Sequence, residues 1–390
     1  MFLKLAIFAK NSTSKKMKIA VNTRLLLENK LEGIGWFTYE TLSRIVKQHP
    51  EIEFYFFFDR PYSKKFIFSD NVKPVILNPP SRHPLLWFIW FEYSVRNKLK
   101  KIKADLFLSP DGYLSLSSPV KSISVIHDLN FEHFPEQFRW SYRKYLLYFF
   151  KRFARRADRI VTVSEYSKQD IVRTYKINPE KIDVAYNGAN PIYSPLNIRE
   201  KIEAREKFSN GSPYFIYIGA LLPRKNVARL LQAFDIFKNK TESDVKIILV
   251  GAKMFNTVDI EKTYSSMKHK ADIVFTGRLS PGDIEKALGG ALALTYVSYF
   301  EGFGIPLVEA MYAEVPVITS NATSLPEVAG DAGLIVDPFS VESIAGAMIR
   351  IYNEVPLQQS LIEKGRIQRQ KFSWDKTADQ LWQSIVKCLE

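Results

Sequence analysis

Glu301-Gly302-Phe303-Gly304-Ile305-Pro306-Leu307-Val308-Glu309 follows the apolar run Leu292 to Tyr296 after only four residues. A short apolar run, then paired glycines, then a proline where a helix would open, reads as strand, tight loop and helix. Proline costs little there, because the first N–H groups of a helix have no intrahelical partner to lose. Backbone N–H groups at a helix start, reinforced by the helix dipole, form a ready phosphate site, and glycines let a ligand approach the main chain closely. One carboxylate precedes the loop and another lies within the helix, too far apart in angle to share one face. They can bracket a ligand at two different hydroxyl-bearing parts; the competing reading is two solvated glutamates beside an ordinary βα turn.

Working outward, the same half of the chain carries Gly219-Ala-Leu-Leu-Pro-Arg224-Lys225-Asn226 between the run Tyr214 to Ile218 and a helix expected from Val227 to Phe237. Adjacent cations at the carboxyl end of a first strand lie where open α/β sheets bind ligands. A planar guanidinium fork and a compact ammonium suit the two phosphates of a diphosphate. Further strands are expected at Val245 to Val250, Ile273 to Phe275, Val315 to Ile318 and Leu334 to Val336. An earlier series of runs lies at Lys18 to Val21, Glu53 to Phe58, Val72 to Leu77, Leu106 to Leu108, Ser122 to Ile126, Ile160 to Val163 and Ile182 to Val184. Helices are expected between them at Gly35 to Lys47, Leu85 to Lys101, Phe138 to Arg156 and Glu165 to Tyr175. Strands alternating with amphipathic helices predict an α/β fold of parallel sheets. Turn residues at Asn187 to Pro195 separate the series, so the expected division is 17–195, 196–373 and a terminal helix, 374–390, packing back towards the first domain.

Composition narrows the class. The chain has 390 residues, enough for two cores, and 46% of them are hydrophobic, the balance of a folded globular protein. Its longest apolar runs, such as Leu85 to Phe91, fall well short of the roughly 20 residues of a membrane span. The single cysteine, Cys388, excludes an internal disulfide and a cysteine metal cluster, which fits a reducing cytoplasm. The net charge of +14 is unevenly placed: up to Glu200 there are 33 Lys and Arg against 19 Asp and Glu, and beyond it 22 against 22. A basic first half points to an anionic surface or acceptor met by that half, or simply to a solvated basic face. Met17 is read as the physiological start, because Met17-Lys-Ile-Ala-Val-Asn opens like a first strand and the piece before it makes a poor signal peptide.

These segments resemble the large retaining glycosyltransferase family of two-domain GT-B architecture that includes bacterial lipopolysaccharide, capsule and phosphatidylinositol mannosyltransferases, the family 4 type. The resemblance covers the chain from Met17 and rests most on the two glutamates separated by seven residues, followed by a Pro-Val-Ile strand and Ser320-Asn-Ala-Thr-Ser-Leu-Pro-Glu327. It implies two Rossmann-like domains facing across a cleft. It further implies that Glu301 contacts donor-sugar hydroxyls, Glu309 holds the nucleotide ribose, and Arg224 and Lys225 bind the diphosphate. The main chain of Thr276-Gly277-Arg278-Leu279 would meet the base. Glu32-Gly33-Ile34-Gly35-Trp36 resembles the family's glycine loop facing the donor phosphate and the acceptor, although a helix-opening turn explains the same pattern. His127-Asp128 matches the histidine near the reacting carbon.

The expected catalytic group is therefore His127, Glu301, Arg224 and Lys225. Donor contacts are expected also from Gly33, Gly35, Gly219, Arg278, Leu279, Phe303, Gly304, Ile305 and Glu309, and acceptor contacts from Gly33, Gly35, Trp36 and Asp128. Ala220 stands where many family members carry arginine, so Arg224 is left with more of the phosphate binding. The resemblance implies transfer of a hexose, with mannose from GDP-mannose preferred and a UDP-sugar as alternative, to a glycan or polyprenyl-linked acceptor in polysaccharide biosynthesis. No metal or other cofactor is expected, since no Asp-x-Asp accompanies these motifs. Leu85 to Lys101 and Trp140 to Arg156 interleave aromatic rings with cations, which suits an anionic membrane surface, here the inner face of the cell membrane, or a core stripe with a solvated basic back. A nucleotide-sugar epimerase shares the architecture. A nucleic-acid binder is disfavoured, because the best motif lies in the neutral half.

Overall fold

The computed structural model describes residues 16–28, 30–252 and 258–390, so the stretch read as preceding the true start lies almost wholly outside the described residues. The two series of apolar runs form two wholly parallel sheets. The first contains β1 (Lys18–Asn22), β2 (Glu53–Phe58), β3 (Val72–Ile76), β4 (Leu106–Ser109), β5 (Lys121–Val125), β6 (Arg159–Thr162) and β7 (Ile182–Val184), in the order β3-β2-β1-β4-β5-β6-β7. The second contains β8 (Tyr214–Ile218), β9 (Lys246–Val250), β10 (Ile273–Gly277), β11 (Ala293–Tyr296), β12 (Val317–Ser320) and β13 (Gly333–Val336), in the order β10-β9-β8-β11-β12-β13. Helices cover both faces of such sheets, so central strands are apolar throughout rather than alternating. All five residues of β8 are buried.

In the first half the crossover helices are α1 (Gly33–Gln48), α2 (Pro84–Ile89), α3 (Arg96–Ile102), α4 (Trp140–Arg156) and α5 (Glu165–Tyr175). Two differ from expectation. Helix α1 begins at Gly33, so Gly33 and Gly35 lie inside its first turn rather than in a loop before it, and Glu32 is the capping position. The single helix expected over Leu85 to Lys101 is instead α2 and α3 joined by a wider π-helical stretch, Trp90–Val95. That extra width turns Trp90, Phe91 and Val95 inward together, and the Trp90 Nε1–H donates to the Leu77 carbonyl at 3.0 Å.

The second half continues with α6 (Ile198–Ser209), α7 (Val227–Thr241), α8 (Val258–Ser266), α9 (Pro281–Gly289), α10 (Ile305–Tyr312), α11 (Leu325–Ala329), α12 (Val341–Asn353) and α13 (Val355–Gln368). The last helix, α14 (Trp374–Leu389), lies against the first half: Trp374 meets Phe37 edge-on at 6.5 Å, Trp382 stacks on His49 at 3.6 Å, and Arg44 pairs with Asp375 at 2.6 Å.

Each sheet reverses its strand order beside its first strand, at β1/β4 and at β8/β11. Crossovers leave to opposite faces there, opening a crevice at the carboxyl ends of the strands. In both sheets those ends carry the loops that meet across the molecule. This is the GT-B arrangement of two Rossmann-like sheets across a cleft.

Candidate functional site

The carboxyl-half side of the site lies at the β8/β11 crevice. The loop after β11 places Gly304 at the N-cap of α10 with φ of 104°, a left-handed conformation that favours glycine, and Pro306 follows in the first turn. After β8, a short 3₁₀ turn, Pro223–Lys225, presents the two cations. They converge on Glu301. The Arg224 guanidinium donates to its carboxylate at 3.2 Å and to the Phe300 carbonyl at 3.0 Å, while the Lys225 ammonium donates to its other oxygen. The Tyr296 hydroxyl adds a bond at 3.0 Å. Burial acts to raise the Glu301 pKa, but the pull of Lys225 and then Arg224 holds it down at about 2, so it is an anion at neutral pH. Burial, together with Arg224, pushes the Lys225 ammonium downward against the attraction of Glu301. The residues expected to contact sugar and diphosphate are thus one preformed charged cluster, which the sequence reading did not foresee.

Across the cleft, the second half's glutamate loop rests directly on the first. The Gly302 carbonyl accepts hydrogen bonds from Ser164 Oγ at 2.7 Å and Ser167 Oγ at 3.2 Å. A Cβ at Gly302 would come within 2.3 Å of the His127 carbonyl oxygen, so only glycine permits this approach. Nearby, Glu327 accepts from the first two N–H groups of α5, Glu165 at 2.8 Å and Tyr166 at 3.1 Å, satisfying donors a helix start leaves unpaired. None of Ser164, Ser167 and Glu327 was singled out as a site residue. The signals were present in Ser164-Glu-Tyr-Ser167, an N-cap pattern, and in the Pro-Glu ending of the motif that closes at Glu327.

His127 emerges at the end of β5 within reach of this contact. Its Nε2–H donates to the Pro110 carbonyl at 2.8 Å, and because a carbonyl only accepts, the neutral ring keeps its lone pair on Nδ1. Burial lowers its pKa and favours that neutral form. Phe37 packs against the ring edge-on at 5.0 Å. Beside Pro110, at the β1/β4 crevice, Asp111 is bound by Arg24 at 2.6 Å and Asn22 at 2.7 Å, and the Arg24 guanidinium lies 4.4 Å from the Tyr113 ring. Asp128 is partly buried and accepts from the Asn130 N–H at 2.9 Å.

The other expected residues are spread more widely. Glu309 lies within α10, outside the Glu301 cluster; burial raises its pKa to about 7, with the Tyr193 hydroxyl of the connecting segment pulling it the other way. Arg278 stands beyond the edge strand β10 and bridges the cleft to Glu32 at 3.2 Å, both exposed; Leu279 beside it is partly buried. The Phe303 ring is buried against Phe372 at 5.5 Å and faces Tyr186 at 6.2 Å, so its main chain rather than its ring is available to a ligand. Gly219 follows β8, Ile305 is partly buried at the start of α10, and Gly33 is exposed at the start of α1. Gly35 packs on Leu25 and Leu31, and Trp36 turns its ring edge to Tyr39 at 5.8 Å. Among the described residues no group of three or more His, Cys, Asp or Glu is placed to hold a metal ion.

Two family models match the two halves: "Glycosyltransferase Family 4" over residues 31–192 and "Glycosyl transferases group 1" over 198–368. The chain is 28% identical over 283 residues to O-antigen chain mannosyltransferase B of Escherichia coli, covering 72% of this chain and 74% of that one. In fold it resembles WaaG, a glycosyltransferase involved in lipopolysaccharide biosynthesis, with a TM-score of 0.71, 16% identity and coverage of 93% and 98% of the two chains. It also resembles Anabaena HepE in complex with UDP-glucose, with a TM-score of 0.72, 17% identity and coverage of 95% and 100%.

Proposed function

We propose, given that this chain belongs to the group 1 glycosyltransferases with a family 4 amino-terminal half, that it transfers mannose from GDP-mannose, with retention, to a glycan carried on a polyprenyl lipid during assembly of a cell-surface polysaccharide. The observation that carries this reading is the Glu301, Arg224 and Lys225 cluster, set at a strand-order reversal and facing His127 across a glycine contact. The choice of mannose is supported by the likeness to O-antigen chain mannosyltransferase B.

The chemistry breaks the bond between the anomeric carbon and the diphosphate oxygen while negative charge gathers on the leaving group. Fixed positive charge aimed at that group stabilises the transition state more than the ground state. Arg224, Lys225 and the N–H groups opening α10 supply it. The acceptor oxygen bonds the anomeric carbon on the face the diphosphate leaves, and its proton passes to the departing phosphate. Glu301, released from part of its pairing, accepts donor-sugar hydroxyls. His127, with Nε2 committed to Pro110, offers Nδ1 as a hydrogen-bond acceptor for a sugar hydroxyl. Glu309 holds the ribose, and the cations take the place of a metal.

A UDP-sugar donor is the second reading, favoured by the likeness to HepE in complex with UDP-glucose. A panel of nucleotide sugars, each tested for protection against thermal unfolding and then for turnover, separates the two, because only a bound donor stabilises the fold. GDP-mannose should protect most, and turnover should survive excess EDTA. Protection by UDP-sugars alone, or activity lost to EDTA and restored by Mg²⁺, overturns the corresponding part. The basic first half supports work at the inner face of the cell membrane; no described helix is long and apolar enough to cross one.

A further inference from the structure

The first half holds a buried ion pair, at the β1/β4 crevice, that the proposed chemistry does not use. Arg24 lies just beyond β1 and Asp111 just beyond β4, and the Arg24 Nε–H donates to the Asp111 carboxylate at 2.6 Å, with 8% and 4% of the two side chains exposed. The rings of Tyr113, Phe91 and Trp87 lie 4.4, 5.5 and 5.8 Å from the guanidinium and wall it in. Its far end donates to Ser81 Oγ at 3.4 Å, and that hydroxyl in turn donates to the buried Asp59 at 2.7 Å. Desolvation offsets much of the attraction within a buried ion pair, so stability alone is a weak account of it. Its distinct contribution is geometric: a planar guanidinium held at both ends fixes the direction as well as the distance of the carboxylate it binds.

What Asp111 holds is a turn. Its Oδ1 also accepts from Asn22 Nδ2 at 2.7 Å and from Ser109 Oγ at 3.1 Å. Gly112 closes the turn with an N–H bond to the Ser109 carbonyl at 3.4 Å, at a φ of 87° that favours glycine, and its own carbonyl accepts from Ser124 Oγ of β5 at 2.9 Å. Pro110 lies between Ser109 and Asp111. Its ring fixes its φ, so the direction of its carbonyl depends on the peptide it shares with Asp111. That carbonyl receives the His127 Nε2–H at 2.8 Å. A histidine's tautomer and orientation are set by the hydrogen bonds its ring nitrogens make. The chain of contacts therefore runs from Arg24 through Asp111 and Pro110 to the ring whose Nδ1 is read as the acceptor for a sugar hydroxyl.

We propose that Arg24 and Asp111 are positioning residues for the transfer: by pinning the turn of residues 109–112 the pair aims the Pro110 carbonyl, and that carbonyl holds His127 in the tautomer and orientation that offer Nδ1 to the donor sugar. This rests on the reading of His127 as a contact to a sugar hydroxyl. Neither residue touches the reacting atoms, so their substitution acts on turnover through His127 and leaves the nucleotide end of the donor alone.

The test uses the full chain in a double-mutant cycle. Arg24→Gln is combined with Asp111→Asn, so that no buried charge is left unpaired, and the combination is made with and without His127→Ala. The paired variant should lower kcat at least about tenfold, the order of loss expected when a group at the reacting centre is displaced from a distance. Its affinity for GDP, or for UDP if the donor panel selects a UDP-sugar, should be unchanged. With His127→Ala added, kcat should stay within about twofold of His127→Ala alone, because residues acting through one another do not add. Losses that multiply overturn the proposal, as does near-normal kcat in the paired variant. Histidine labelled with ¹⁵N supplies a readout independent of turnover, the His127 signals being those missing from His127→Ala. At neutral pH the wild type should show Nε2 protonated and Nδ1 bare, and in the paired variant the two shifts should move towards each other as the tautomers mix. A wild type protonated on Nδ1, or a paired variant with unchanged His127 shifts, refutes the relay even if no nucleotide sugar is turned over. If the paired variant binds no nucleotide, Arg24→Lys, which keeps the charge without the planar fork, carries the same cycle and the same spectrum.

Discussion

Donor binding should depend on pH through Glu309. Burial raises this carboxyl to about 7 from an ordinary 4.5, with the Tyr193 hydroxyl pulling it the other way. Ribose hydroxyls donate, so a ribose needs the carboxylate, and binding must draw off the proton that the free protein holds below neutrality. If only the ionised form binds, affinity is nearly constant well above pH 7 and falls about tenfold for each unit below it, which is about 1.4 kcal/mol per unit. Between about pH 8 and pH 6 the ionised fraction falls roughly tenfold, and the dissociation constant should rise by that factor. Calorimetry with GDP-mannose in the absence of acceptor measures it cleanly, because a sugar-blocked diphosphate has no ionisation of its own near neutrality. Buffers of different ionisation enthalpy should reveal proton release on binding near pH 6 and little near pH 8. The sign for folding is opposite: a raised carboxyl stabilises the unliganded protein below 4.5 and loses that contribution as pH rises through about 7. Glu309→Gln should therefore bind donor weakly with a flat profile and gain relative stability at alkaline pH. A flat wild-type profile, or a slope that persists in Glu309→Gln, refutes the assignment of the ribose to Glu309.

Two further outcomes test the rest of the site. Arg224→Ala should slow turnover by about 2 to 4 kcal/mol of barrier, the cost of losing a preorganised donor to the leaving group; steady-state kinetics showing near-normal turnover removes that role. Gly302→Ala, whose Cβ would lie 2.3 Å from the His127 carbonyl oxygen, should lower kcat by more than it raises the donor dissociation constant, because it displaces the two halves rather than the nucleotide pocket. Equal effects on both would mean that the loop serves only donor binding.

Much of this architecture was legible because strands in doubly covered parallel sheets are unbroken apolar runs; the expected strand ends fall within two residues of those observed, as at β8 and β12. The helix start at Gly304 was legible for a similar local reason, since Gly and Pro mark it by conformation alone. What the sequence did not disclose was pairing at a distance. Nothing local says that Arg224 and Lys225 share Glu301 or that Arg278 reaches Glu32, because those contacts arise only when separate strand ends converge. The helix of residues 85–101 was misread as uniform because a π-helical stretch changes which residues face inward without leaving a glycine or proline to mark it.

The Gly302 contact limits how this molecule can be taken apart and rebuilt. A loop whose carbonyl is held by Ser164 and Ser167, beside a carboxylate that caps α5, is not the property of the half that encodes it. Grafting another nucleotide-binding half onto this first half would transplant the glutamates but not the surface that shapes them. A working chimera therefore has to inherit Gly302 and Glu327 from one parent and Ser164, Ser167 and the His127 turn from a parent built to match. In this chain the unit of exchange is the matched pair of surfaces, although the covalent boundary falls between the two sheets.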